Sequence, residues 1–263
     1  MDKVLGHFDA PAIRALLDEA GVLAALAERG FGGLDVDIES GGRALPHIVV
    51  WGEKIGQRCV LLDACVGEAV VRPSFFARAG YQMERPMELA VVHWVREEDP
   101  TAAFVPDRPP LPLQRHPGLG VLRRAFRVLV RMANDLHKDG VANVPKFFHD
   151  AVIFLHSRMF LFLDGGEQGR FEALQRDLRP LALGDASVAL AGRCVRDGFG
   201  GLVEWMPGYQ VFPLSAPLTA YFHSGRYAAE VAEALHAERF SYDGVAVARI
   251  CAALRAPPAA LVA

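Results

Sequence analysis

Apolar residues in the first part of the chain recur first with helical and then with strand periodicity. Over residues 10–29 they are spaced three or four apart, and Asp9 and Pro11 provide helix-start signals, so the pattern predicts a helical segment divided at Gly21. Strict alternation over residues 34–39 predicts a strand with one solvent-exposed face.

Three β-rich runs follow and lead into a proline-rich segment. Residues 47–51 and 58–66 flank a connection with two glycines, which indicates a β-hairpin, and residues 88–96 predict another strand. Six prolines fall within residues 99–117. Because proline lacks a backbone N–H and fits poorly into helices and strands, we expect an extended loop there.

The clearest helical pattern covers residues 121–137, where a wide apolar stripe lies opposite four arginines. The pattern then predicts a strand, a helix and a strand over residues 141–144, 147–158 and 159–163. The predicted fold class is α/β (α+β), with strands and helices interspersed over residues 1–166. A mainly helical C-terminal extension is predicted over residues 167–263, with helices at 171–178, 186–195, 227–237 and 245–254 and a short strand at 209–214.

Composition narrows the possible functions. The 263 residues are 52% apolar and carry a net charge of −3, so the chain lacks the basic excess typical of nucleic-acid binding. The first residues lack the features of a secretory leader, and we expect a cytoplasmic protein. The most apolar window, residues 151–163, is too short and too polar for a membrane span. Four scattered cysteines predict neither a disulfide framework nor a zinc ribbon.

The segment 114–120 reads Gln-Arg-His-Pro-Gly-Leu-Gly and directly precedes the predicted helix at 121–137. The first turn of a helix has unpaired backbone N–H groups and a partial positive charge, and glycine lets a phosphate approach them closely. The segment therefore indicates a phosphorylated ligand. The alternative is a Pro-Gly loop that only starts a helix.

Two motifs resemble those of the GNAT acetyltransferase superfamily. Arg115, Gly118 and Gly120 match its R/Q-x-x-G-x-G/A turn, which binds the pyrophosphate of acetyl-coenzyme A. A second signature, A-x-x-[FL]-Y-x-x-x-G-F, is matched in part over residues 151–160, where Leu155 replaces the tyrosine and Met159 the glycine. The resemblance implies a mixed, mostly antiparallel sheet flanked by helices over residues 1–166. It also implies an acetyl-CoA or longer acyl-CoA cofactor and, as its partner, a small-molecule or peptide amine acceptor. The residues expected to bind the cofactor are Arg115, Gly118, Leu119, Gly120, Val121, Arg123 and Arg124.

Acyl transfer to an amine requires a group that removes the amine proton. Glu88 and His93 are candidates on the predicted strand, but their five-residue separation places them on opposite faces unless a bulge intervenes. Such a bulge is typical of the family. The alternatives are a solvated strand end for Glu88 and a half-buried imidazole for His93. Since Leu155 replaces the family tyrosine, His156 or water would protonate the departing thiolate.

Three functional hypotheses follow. The first is an acyl-CoA-dependent N-acyltransferase in which the amine attacks directly in a ternary complex. The second is a non-catalytic ligand-sensing or interaction protein of GNAT fold, and the third is an unrelated α+β domain. No G-x-S-x-G elbow, Walker A loop or metal-binding histidine pair occurs. Residues 167–263 would cover the cleft or form the face of a homodimer.

Overall fold

The computed structural model describes residues 3–40, 45–105, 110–156 and 160–255. In chain order the elements are α1 (Ala10–Glu19), α2 (Val22–Glu28), β1 (Gly32–Glu39), β2 (His47–Lys54), β3 (Gln57–Val71), α3 (Pro73–Arg78), β4 (Met87–Glu97), α4 (Leu122–Asp135), β5 (Gly140–Asn143), α5 (Phe148–His156), β6 (Leu161–Phe162), α6 (Gly165–Leu178), α7 (Leu183–Ala191), β7 (Val195–Asp197), β8 (Gln210–Pro213), α8 (Ala216–Phe222), α9 (Gly225–Ala237), β9 (Phe240–Tyr242) and α10 (Gly244–Arg255).

The chain forms two compact units. The first comprises Met1–Ala103, Arg115–Val144 and Gln210–Arg226, and the second comprises Phe104–Gln114, Pro145–Tyr209 and Tyr227–Ala263. Gly41 and Gly42, which indicate a turn after the predicted strand at 34–39, lie outside the described residues, as do prolines 106 and 109 and Met159.

The first unit is built on a sheet whose strands lie in the order β1-β2-β3-β4-β5-β8. Neighbouring strands are antiparallel except β4 and β5, which are parallel. Helices α1, α2, α4 and α8 pack against these strands. The predicted α/β fold with a mostly antiparallel sheet and flanking helices is confirmed.

Local sequence signals explain several of these elements. The Asp9 side chain caps α1 by accepting a hydrogen bond from the amide of Ala12 at 3.0 Å, and Gly21 separates α1 from α2 with a φ of 72°. The hairpin between β2 and β3 turns at Ile55 and Gly56, which have φ angles of 56° and 71°. Two successive positive φ angles are characteristic of the hairpin turn whose twist matches that of the flanking strands.

The second unit has its own apolar core, formed mainly by α5, α6, α7 and α10. The helix predicted at 186–195 is wrong at its end, because α7 stops at Ala191 and Val195 begins β7, which pairs with β9. The chain reverses at Arg193, whose φ of 56° cannot continue a helix.

The two compact units are not continuous along the chain, and the domain boundary at residue 166 stays a prediction. The chain contributes Phe104–Gln114 to the second unit, enters it again at Pro145 and returns to the first unit at Gln210. The return occurs because β8, predicted as a short strand at 209–214, pairs with β5, with Pro213 opposite Gly140. No helix in the described ranges is both long and apolar enough to cross a bilayer.

Candidate functional site

The candidate site lies in the first unit, where β4 leads through the loop and α4 into the parallel strand β5. This crossover directs the carboxyl end of β4 toward the start of α4, as the hydrogen bond from the Asp99 amide to the Pro117 carbonyl shows at 2.8 Å. In sheets with parallel strands, ligands bind preferentially at carboxyl strand ends where the connections change direction. The predicted phosphate-binding turn is therefore in a suitable position.

An internal carboxylate occupies the amides of this turn. Glu97, the last residue of β4, accepts hydrogen bonds from the amides of Gly120 at 3.2 Å and Val121 at 3.1 Å. Gly120 has a φ of 68°, a left-handed conformation that favours glycine. The turn thus has the conformation expected of an anion site, but in this structure the anion is the side chain of Glu97.

The surroundings of Glu97 have opposing effects on its protonation. Burial raises the pKa of the Glu97 carboxyl, while hydrogen bonds from the amides of Val121, Gly120 and Leu119 and the charge of Arg29 lower it. The net shift is upward, so the carboxylate is held at a desolvation cost. The positive charge of Arg29 therefore faces the Glu97 carboxylate, which already occupies the anion position of the turn.

The remaining predicted cofactor residues have other environments. The Arg115 amide donates to Glu98 at 3.3 Å, and a Cβ on Gly118 would lie 3.1 Å from the Glu97 carboxylate. Arg123 and Arg124 are exposed in the first turn of α4. The Arg124 side chain lies close to the turn between α1 and α2, where its Nε is 3.9 Å from the Cβ position of Gly21.

Strand β4 contains a bulge at His93. Cys65 of β3 pairs with Trp94, whereas its neighbour Val66 pairs with Val92, so one residue of β4 is extra. The His93 side chain covers Gly67, where an added Cβ would lie 2.7 Å from Nε2. Because Gly67 and Cys65 share a face of β3, His93 and Trp94 both point to that face.

Glu88 does not converge with His93. It pairs with Val70, three residues from Gly67, and therefore points to the opposite face of the sheet. Lys138 forms ion pairs with Glu88 at 2.9 Å and Glu68 at 2.6 Å. Burial lowers the pKa of Lys138. The two glutamates raise the pKa by more than burial lowers it, so the net shift is upward. The Lys138 ammonium thus neutralises Glu88.

The third predicted catalytic residue, His156, is the exposed last residue of α5 in the second unit. Its neighbour Leu155, which replaces the family tyrosine, packs against the apolar core of that unit. In the same helix His149 contacts Ser187 at 2.8 Å and Asp150 at 3.3 Å. Burial lowers the pKa of His149, more than Asp150 raises it. His149 and Ser187 are both buried, and we interpret this network as structural.

Asn143, the last residue of β5, was not singled out by the sequence. Its side chain is 3% exposed, and neither Nδ2 nor Oδ1 has a hydrogen-bond partner among the described residues. It pairs across the sheet with Val92 of β4 on one side and Gln210 of β8 on the other. Because buried amides in native proteins almost always have partners, an unpaired one at a strand end points to a ligand. An asparagine that ends a buried apolar strand is the only sequence signal for it.

Beyond Asn143, β4 continues without a neighbouring strand on the β5 side among the described residues. The pairing between β4 and β5 ends at Val92 and Asn143, whereas β4 continues to Glu97. Over these last residues β4 faces no strand of the described sheet on the β5 side. Backbone N–H and C=O groups along such an edge can pair with an extended ligand that carries amide groups.

No group of three or more histidine, cysteine, aspartate or glutamate residues in the described ranges is arranged to bind a metal ion. Neither a scan against models of known protein families nor a search of curated proteins found a match for this chain.

Proposed function

We propose that this chain is a non-catalytic, ligand-sensing protein of GNAT-like fold whose site lies where β4 continues beyond the end of β5. The carboxamide of Asn143 is the observation that carries the proposal. It is buried with no hydrogen-bond partner among the described residues, at the point where β5 ends and β4 continues. An unsatisfied buried polar group costs about 1–3 kcal/mol, and a ligand amide that pairs with it recovers that free energy.

The same geometry defines the class of ligand. An extended, uncharged molecule with amide groups suits both the carboxamide of Asn143 and the part of β4 that continues beyond β5. A diphosphate does not suit the turn before α4, because the Glu97 carboxylate already accepts from the Gly120 and Val121 amides. A hydrogen bond to a charged group contributes about 1.5–3 kcal/mol, and the incoming anion would also face a like charge.

The second candidate function is an acyl-CoA-dependent N-acyltransferase. The bulge in β4 favours it, because the bulge directs His93 and Trp94 to one face of the sheet. In this case the CoA pyrophosphate would displace Glu97 from the amides, the pantetheine arm would pair with β4, and His93 would remove the proton of the amine acceptor. Acetyl-CoA or a longer acyl-CoA would be the donor.

Two assays separate the candidates. The first measures thiol release from acetyl-CoA with a panel of amines, and the non-catalytic proposal predicts no release above the rate without protein. The second follows side-chain amide resonances by NMR during titration with pantetheine, which has the two amides of CoA but no diphosphate. The chain has two asparagines, buried Asn143 and exposed Asn134.

The proposal predicts that pantetheine shifts the Asn143 resonance and leaves that of Asn134 unchanged. Amine-dependent thiol release would instead favour the transferase. If neither resonance moves and no thiol is released, both candidates are wrong.

A further inference from the structure

The second unit contains a small cavity of about 50 Å³ with an aromatic wall. Phe162, Phe171 and Trp205 line it, and the centroids of their rings lie 5.2–6.4 Å apart. The Trp205 indole N–H donates to the carbonyl of Pro145 at 3.0 Å, which fixes the orientation of the ring. The cavity is therefore lined by aromatic rings and has room for only a few non-hydrogen atoms.

A carboxylate lies at the same cavity. Glu167, in the first turn of α6, lines it and accepts a hydrogen bond from the amide of Gly208. Within the described ranges no lysine or arginine lies at ion-pair distance from Glu167. Burial and the neighbouring carboxylate of Asp164 both raise the pKa of Glu167, as expected for a negative charge without a cation.

The cations near the cavity are already paired. Arg170 lines the cavity, but its guanidinium forms an ion pair with Glu238 at 3.0 Å and lies over the ring of Phe240 at 5.4 Å. Glu204, the other carboxylate of the lining, forms an ion pair with Arg193 at 3.0 Å. The charge of Glu167 is therefore not neutralised.

We propose that this cavity binds an alkylammonium group. Aromatic rings attract an organic cation through their quadrupoles, the cavity is lined by three of them, and Glu167 supplies the counter-charge. The small volume admits a single ammonium head group with its carbon chain leading to solvent. This inference is independent of the proposed function, because all of its residues belong to the second unit.

The test compares n-butylammonium with n-butanol, which has the same chain without the charge. Binding is followed through the indole N–H resonances of the three tryptophans, with Trp205 assigned by Trp205→Phe. We expect butylammonium to shift the Trp205 resonance in a saturable way and butanol to bind at least about tenfold more weakly, since a partly desolvated cation–π contact contributes about 1–2 kcal/mol.

Two substitutions complete the test. Glu167→Gln keeps the size of the side chain and an acceptor for Gly208 but removes the charge, and we expect it to weaken butylammonium binding about tenfold, as for loss of one partly buried ion pair. Glu204→Gln removes the same charge from a carboxylate that is already paired, and we expect less than a twofold change. Equal binding of butanol, no saturable shift with butylammonium, or an unchanged affinity in Glu167→Gln would overturn the proposal.

Discussion

The backbone amide of Val121 donates a hydrogen bond to the carboxylate of Glu97 at 3.1 Å, so the start of α4 binds an anion from its own chain. The partial positive charge at a helix start stabilises a nearby negative group by up to about 2 kcal/mol when it is partly buried. Here the last residue of β4 gains that stabilisation. The turn that resembles a pyrophosphate-binding motif therefore joins the end of β4 to the start of α4.

Replacing Gly120 with alanine should destabilise the first unit. Gly120 has a φ of 68°, and a Cβ there would lie 3.4 Å from Nη2 of Arg29. The left-handed conformation costs a residue with a Cβ about 1 kcal/mol or more, which should lower the melting temperature by about 2–4 °C. Thermal unfolding followed by circular dichroism measures this change.

Gly225→Ala is the matched control for Gly120. Gly225 begins α9, and no atom lies within 4 Å of an added Cβ. Alanine at a helix position is favoured over glycine by up to about 1 kcal/mol, so this variant should be as stable as the wild type or slightly more stable. A Gly120→Ala protein that melts no lower than Gly225→Ala would contradict the strain assigned to the turn.

Asp139→Asn should destabilise the protein at neutral pH. Asp139 is 1% exposed, accepts two hydrogen bonds from Arg85 at 2.7 and 2.8 Å, and accepts one from the amide of Glu88 at 2.8 Å. Breaking a buried ion pair costs about 3–5 kcal/mol, but Arg85 is half-exposed and can turn to water, so we expect about 2 kcal/mol. Urea unfolding measures the difference, with Asp135→Asn on the exposed side of α4 as the control.

The contribution of Asp139 should vanish in acid. Burial raises the pKa of Asp139, but Arg85, the Glu88 amide and Ser215 lower it, and the net pKa is below its ordinary value. A carboxyl with a lowered pKa in the folded state stabilises fully above its unfolded pKa of about 3.9, and the stabilisation is lost as pH falls through the folded value. The advantage of wild type over Asp139→Asn should therefore shrink below about pH 4. An advantage that grows on acidification would contradict the assigned network.

Asn143→Leu should stabilise the protein and remove ligand binding. The buried carboxamide has no partner among the described residues, and leucine has a similar size without polar atoms. Relief of an unsatisfied buried amide is expected to stabilise by about 1 kcal/mol or more. Urea unfolding gives the stability, and calorimetric titration with pantetheine gives the binding.

Exposed Asn134 provides the control for Asn143→Leu, and Asn134→Leu should change stability by less than about 0.5 kcal/mol and leave pantetheine binding unchanged. The gain of stability and loss of binding expected for Asn143→Leu are together characteristic of functional polar residues. A strongly destabilised Asn143→Leu protein would show that the carboxamide supports the fold instead of a ligand.

The sequence predicted the elements that depend on local patterns. Alternation identified β1, and the glycines between β2 and β3 marked a hairpin whose turn residues do have positive φ angles. The amphipathic stripe after residue 120 predicted α4 to within two residues at its end. Because Glu88 and His93 are five residues apart, only a bulge between them could bring their side chains to one face of β4. The bulge lies at His93 itself, and the two side chains point to opposite faces.

Features set by distant parts of the chain were not predicted. Glu97 follows the strand predicted at 88–96, and no local pattern shows that its carboxylate reaches amides 23 and 24 residues away. The unpaired state of Asn143 depends on both neighbouring strands, one of which, β8, follows about 67 residues later in the chain. The helical periodicity continues past Ala191, but α7 ends there because Arg193 has a positive φ angle.

The most direct test of the account is the affinity of the protein for pantetheine relative to CoA, measured by isothermal titration calorimetry. Because a carboxylate and a phosphate about 4 Å apart repel by about 4 kcal/mol in a partly buried setting, wild type should bind CoA no more tightly than pantetheine. Glu97→Gln should raise the CoA affinity about tenfold or more and leave that for pantetheine within about twofold, whereas Glu98→Gln, which removes the neighbouring charge, should change neither. Wild type that binds CoA at least tenfold more tightly than pantetheine would contradict the claim that Glu97 occupies the anion position of this turn.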